Sequence, residues 1–233
     1  MSIKSLGQQS LIYGAGYVAA RGITFLLLPL YTNLFSLENY GIISLIYAFL
    51  GFMNVILHYG LDASLLKHYV PANNQERKII LSNVYTSFII TTISFLVFII
   101  LFRENISSLL FGSELFWITP MVAGILFFDV LWAIHVLILR AEENPILFTI
   151  INLFNVISSL SLNLFFVLYM EMGLFGVLLS NLITSGAIFL FTSPLIIKRV
   201  SISALSLNRW KSLMNFGSPF LPAGIFSMIL ELS

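Results

Sequence analysis

An all-α, polytopic membrane protein is what this sequence predicts: one six-helix bundle plus the start of a seventh helix. Three observations carry that prediction. Hydrophobic residues make up 59% of the 233 and charged ones 9%, with a mean hydropathy of +1.00; soluble domains carry about 25% charged residues. The apolar residues come in runs of about 20 or more, the length a helix rising 1.5 Å per residue needs to cross a bilayer. The basic residues fall almost entirely in alternate links between those runs.

The runs lie roughly at 10–34, 41–66, 79–102, 115–139, 146–170 and 174–197, with boundaries good to about 2–4 residues. The first is too long for a signal-peptide core and lacks a small-residue cleavage site, so it reads as a retained anchor. Ala15, Ala19 and Gly22 recur along it at helical spacing and admit a close neighbour, and Pro29 should bend its outer third. Ser36 stands as the cap of the second helix. Gly112-Ser113-Glu114 offers a start to the fourth, and Asn144-Pro145 is an N-cap with proline at the first helical position of the fifth. Two pieces suit helices lying along the membrane: 103–114, with Ile106, Leu109 and Leu110 on one side, and 201–213, with Trp210 at headgroup level. The seventh run begins near Leu213 and reaches only Ser233, so the chain reads either as a fragment of a longer protein or as an interrupted frame, and the fragment is preferred. The organisation expected is a bundle over 1–200, an interfacial linker over 201–212 and a truncated seventh helix over 213–233.

Orientation follows from the basic residues. Lys4, Lys67, Arg77, Lys78, Arg140, Lys198, Arg199, Arg209 and Lys211, nine of the eleven, belong to one side, against Arg103 alone on the other. That side, with the N-terminus, is predicted to be cytoplasmic. The opposite links carry Glu38, Glu104, Glu114 and Glu171.

Charges inside the spans are the candidate functional residues, because a charged group at the bilayer centre costs roughly 2.5–3.5 kcal/mol on insertion scales. Arg21 lies near the middle of the first span. It either pairs with an acid to hold helices together or binds something anionic, and the second reading is preferred. Asp129 sits mid-way along the fourth span, with Trp132 on the same face and His135 rotated round and nearer the cytoplasm. They are cavity or coupling-ion candidates, as a protonatable pair or with the acid answering Arg21; one buried acid satisfying one buried Arg explains Asp129 equally well. Asp62 and Lys67, at the cytoplasmic end of the second span, suit a structural clamp. Asn54, Asn83, Asn152, Asn155, Asn163 and Asn181 are explained by interhelical hydrogen bonds of about 0.6 kcal/mol each, or by a hydrophilic cavity.

Enzyme chemistry finds no footing. With zero Cys, thiolate catalysis, disulfides and cysteine metal sites are excluded. His58, His68 and His135 show no metal-ligand spacing, and no P-loop or nucleophile elbow occurs. Gly14-Ala15-Gly16-Tyr17-Val18-Ala19 fits a dinucleotide fingerprint, but no strand precedes it. No cofactor, no metal and no nucleic-acid partner is expected.

Several segments, in order, resemble the bacterial polysaccharide and oligosaccharide flippases of the superfamily that also holds multidrug exporters. Phe35-Ser36-Leu37-Glu38-Asn39-Tyr40-Gly41 is similar to their first outer link, with Leu37 where proline is usual. Tyr59-Gly60-Leu61-Asp62 through Lys67 and Tyr69 is similar to the end of their second helix. Leu139 to Asn144, Gly173-Leu174-Phe175-Gly176, and Phe216-Gly217 with Pro219 and Pro222 match later links. The resemblance implies two six-helix lobes facing a central cavity and flipping undecaprenyl-pyrophosphate-linked sugars by alternating access. Arg21 matches a cationic first-helix position and would hold the phosphates, to which a bidentate guanidinium is suited. The implied partners are the lipid-linked oligosaccharide, membrane lipid and the missing C-terminal lobe, with a polymerase and glycosyltransferases working alongside. The implied location is the bacterial cytoplasmic membrane. Two rivals stand beside this reading. One is a multidrug or organic-cation exporter, in which Asp129 would outweigh Arg21; the other is an inactive half acting as a scaffold.

Overall fold

The computed structural model describes residues 31–112 and 115–232. Arg21 and most of the first span therefore lie outside the described residues, as do Ser113 and Glu114. Residues 31–34 are the helical end of that span. Among the described residues nine α-helices follow: α1 Leu37–His58, α2 Leu61–Tyr69, α3 Asn74–Leu101, α4 Arg103–Leu110, α5 Ile118–Ala141, α6 Pro145–Asn163, α7 Gly173–Ile197, α8 Leu207–Gly217 and α9 Phe220–Leu232. Five of these are long and apolar enough to cross a membrane, α6 doing so with the π-turn Leu164–Tyr169 that continues it; α8 and α9 together give a sixth crossing. This is a multi-pass, all-α membrane protein, with no strand among the described residues.

The helix ends are set by local chemistry. Ser36 Oγ accepts the backbone N–H of Asn39 and starts α1 four residues before the apolar run. Asn144 Oδ1 accepts from Leu147, with Pro145 in the first turn where its missing N–H costs nothing. At α3, Asn73 and Glu76 form a reciprocal capping box, which extends the helix back to Asn74, five residues beyond its apolar run.

One predicted span is corrected. The run 41–66 is not a single helix, because Tyr59 (φ 33°) and Gly60 (φ 76°) are both left-handed and divide α1 from α2. The reason lies on a neighbouring element. A Cβ on Gly60 would stand 1.9 Å from the carbonyl oxygen of Gly217, at the end of α8, so the two backbones touch where only glycine fits. Beyond that contact α9 runs antiparallel to α1, with Gly224 against Val55 and Gly51 against Met228.

Among the spans, α5 is the central one. Its most apolar window is 61% buried, against 17% for α1. It packs on α7 and α3 and also touches α1, α2, α4 and α6. Ile118, Ile125, Leu126, Leu131, Ile134 and Ile138 on it are almost completely enclosed. The outer helices keep large apolar side chains such as Ile90, Leu101, Phe191 and Leu190 on the surface, as a lipid-facing helix must.

The linker after α7 is docked rather than free. Ser201 N–H donates to Ser82 Oγ, Ser206 N–H donates to Asn83 Oδ1, and Trp210 Nε1 donates to Ser87 Oγ at 2.9 Å. Its first part is a 3-10 turn, Ile202–Ala204, and the helix begins only at Leu207. Trp210 is thus anchored on α3 by its ring nitrogen.

Candidate functional site

Polar side chains of the spans meet one another in layers at successive depths. The outermost joins Tyr31 to α6: its hydroxyl donates to Asn163 Oδ1 at 2.7 Å, and both residues are buried. In the next, Asn181 Nδ2 of α7 donates to the hydroxyl of Tyr47 on α1 at 3.0 Å.

At mid-depth stand Asp129 and Ser185. Each is about 17–18 Å from either end of its own helix, counting 1.5 Å per residue from the bounds of α5 and α7. Asp129 Oδ1 accepts two hydrogen bonds, from Ser185 Oγ at 2.5 Å and from Trp132 Nε1 at 3.0 Å. The expectation that Asp129 and Trp132 share a face holds. Their spacing of three residues along the helix brings the indole N–H onto the carboxylate.

His135 belongs to a separate layer. Thr192 Oγ1 donates to the carbonyl of Ile188 at 2.7 Å, so it accepts from His135 Nδ1, 2.6 Å away. That leaves His135 Nε2 to accept from the Tyr85 hydroxyl at 3.0 Å. The ring is fully enclosed and packs on Phe189 and Tyr85. A neutral imidazole protonated at Nδ1 satisfies both contacts. Asp129 and His135 are therefore not brought together as a pair: six residues on a helix rotate them about 120° apart, onto different neighbours.

Below these layers the break between α1 and α2 opens a cavity of about 380 Å3 against α9. Asn54, His58, Gly60 and Asp62 line one side of it, and Phe220 and Gly224 the other. His58 Nδ1 donates to the carbonyl of Asn54 at 2.7 Å, which holds the ring along α1 and leaves Nε2 available. The Asp62–Lys67 clamp is not formed. Five residues apart on α2, the two project about 140° from each other. Asp62 lines the cavity, whereas Lys67 Nζ lies 3.6 Å from the centre of the Phe216 ring, a cation–π contact with α8.

Sequence reasoning placed Asp129, His135 and the asparagines, but it missed their partners: Ser185 for Asp129, Tyr85 and Thr192 for His135, and Tyr31 and Tyr47 for Asn163 and Asn181. The signal that could have found them is a tyrosine hydroxyl inside an otherwise apolar span, which needs a partner when buried. Chemically, the assembly offers amides, hydroxyls, indole and one carboxylate. Among the described residues no group of three or more His, Asp or Glu is placed to hold a metal.

An all-α bundle of this kind, with polar side chains meeting between its crossing helices, is a multi-pass membrane fold. Solved structures share it. One is a MATE in complex with Br-NRF (TM-score 0.75, 19% identity, covering 97% of this chain and 55% of the other). Another is an outward-facing multidrug resistance MATE family transporter of the MOP superfamily (TM-score 0.70, 17% identity, covering 93% and 51%). The chain thus spans about half the length of the structures it matches. No curated protein matches it. The polysaccharide biosynthesis protein family matches over residues 6–233, and the chain belongs to that family.

Proposed function

We propose that this chain is the N-terminal lobe of a transporter, not an enzyme, that moves undecaprenyl-pyrophosphate-linked oligosaccharide across the bacterial cytoplasmic membrane by alternating access. The observation that carries the reading is the series of polar contacts between the helices: Tyr31–Asn163, buried; Asp129–Ser185–Trp132, part-buried; and Tyr47–Asn181, with Tyr47 on an exposed face. Buried polar groups are costly in a membrane and mark a substrate or ion path when they recur through its depth. Hydroxyls, amides and an indole suit a sugar, and the family is one of polysaccharide biosynthesis. Arg21 is assigned the pyrophosphate, and Asp129 the coupling ion or proton. The second lobe would close the cavity that α1, α2 and α9 begin.

A multidrug or organic-cation exporter is the second reading, favoured by Asp129, a carboxylate at mid-depth with one oxygen still free of protein donors among the described residues. One experiment separates them. Export of lipid-linked sugar, normalised to inserted protein, is measured in a flippase-null strain for the full-length transporter carrying Arg21→Lys, Arg21→Ala, or Arg21→Ala with Asp129→Asn. The flippase reading expects a substantial loss with lysine, which keeps the charge but not the fork, and none of the three restored to normal. Near-normal transport by the double variant would reject the phosphate role and leave Arg21 as a helix clamp.

A further inference from the structure

The end of the bundle where the basic residues gather holds a second cavity, of about 270 Å3. Tyr69 at the end of α2, Arg77, Lys78 and Leu81 of α3, Glu142 beyond α5 and Arg199 beyond α7 line it. Three cations face one carboxylate, and that carboxylate is already engaged. Glu142 Oε1 accepts from Arg199 Nη1 at 2.5 Å and from the Tyr69 hydroxyl at 2.8 Å. Arg77 is fixed as well: Nε donates to the carbonyl of Tyr69 and Nη2 to that of Val70, with the guanidinium 5.0 Å from the Tyr69 ring. Lys78 is exposed and makes no hydrogen bond or ion pair with any described residue.

Position gives the cavity its meaning. Lys78 is the last polar residue before the apolar run of α3, and Arg199 stands two residues past Ile197, the last residue of α7. The cavity therefore opens at the membrane boundary, where lipid phosphates lie. We infer that it is a phosphate-binding site: two guanidinium groups held in place by protein acceptors and one free ammonium, with a net charge that calls for an anion. The phosphate comes from an anionic lipid headgroup or from a soluble phosphate. The inference rests on neither the transport reading nor the orientation.

Native mass spectrometry of the full chain, with dioleoyl phosphatidylglycerol or dioleoyl phosphatidylcholine added to the micelles, tests it. The unmodified chain is expected to retain phosphatidylglycerol preferentially. Lys78→Gln, which touches no internal bond, is expected to lower that retention about fivefold, one surface cation's worth of attraction to an anionic lipid. Lys198→Gln, exposed at the same end but outside the cavity, is expected to leave it unchanged. Displacement of the lipid by excess sodium pyrophosphate assigns a site open to soluble phosphate, and retention against it assigns the lipid; either supports the site. Equal retention of the two lipids without pyrophosphate binding overturns it. So does an equal loss in the two variants, which reports a diffuse surface charge.

Discussion

Asp129 and His135 differ in what surrounds them, and substitutions should separate their roles. Asp129→Ala strands the Ser185 hydroxyl and the Trp132 N–H that converge on Oδ1, at about 1–3 kcal/mol for each unsatisfied group. Asp129→Asn keeps an acceptor oxygen, so its melting temperature in detergent should stay near that of the unmodified chain while the alanine variant falls. Full transport by Asp129→Asn would remove the coupling role. For His135 the expectation is structural. His135→Phe strands the Tyr85 hydroxyl and should cost about 1–3 kcal/mol, and adding Tyr85→Phe should recover much of it by removing the orphan. Additive losses in the double variant would break that account. Glu142 carries the pH dependence at the bundle end. Burial alone would raise its pKa, but hydrogen bonds from Arg199 and Tyr69, with the charges of Arg199 and Arg77, hold it below the ordinary 4.5. The unfolded chain therefore takes up the proton first as pH falls. The stabilisation is complete above pH 4.5 and lost as pH drops through the depressed value. Melting curves between neutral pH and pH 3.5 should show a steeper acid loss than in Glu142→Gln, and parallel slopes would refute the linkage.

At the scale of the elements, the contact between Gly60 and Gly217 fixes how α8 and α9 meet the break between α1 and α2. Gly60→Ala meets both a positive φ and a backbone oxygen 1.9 Å from the new Cβ, neither of which a side-chain rotation relieves. A loss of roughly 2–4 kcal/mol is expected from the left-handed strain and the overpacking together. Gly41, helical with nothing within 4 Å of its Cβ position, is the control. There alanine should be neutral or stabilise by about 0.5–1 kcal/mol. Thermal melts of the two variants decide the matter, and equal effects would mean that the contact does not constrain the break.

For the whole molecule, the structure gathers Tyr69, Arg77, Lys78, Glu142 and Arg199 around one cavity. The basic links therefore share an end of the bundle, as the charge count predicted. Single cysteines at Asn74 and Ser203 should react with an impermeant reagent only from the cytoplasm, and one at Asn39 only from outside; all three positions are exposed. Outside labelling at Asn74 would reverse the topology. If the chain is one lobe of a transporter, as proposed, its polar contacts lack the facing half, and residues 1–233 expressed by themselves should not restore export in a flippase-null strain. Recovery of surface polysaccharide would contradict this.

The crossing segments, the caps at Ser36 and Asn144 and the shared basic end were legible in the sequence. Each depends on local composition: run length against bilayer thickness, a short polar side chain before a helix, charge held on one side. What tertiary structure alone decided is which apolar helix is enclosed by protein. Lipid tails are as apolar as leucine, so α5 at the centre and α1 at the edge are written in the same residues. The same holds for the partners of the polar groups. Asn163 and Asn181 announced that hydrogen bonds were needed, but Tyr31 and Tyr47 lie 132 and 134 residues away in the chain. The break at Tyr59 and Gly60 reads as continuous helix until the Gly217 carbonyl is placed against it, because the force that selects the left-handed turn comes from another element.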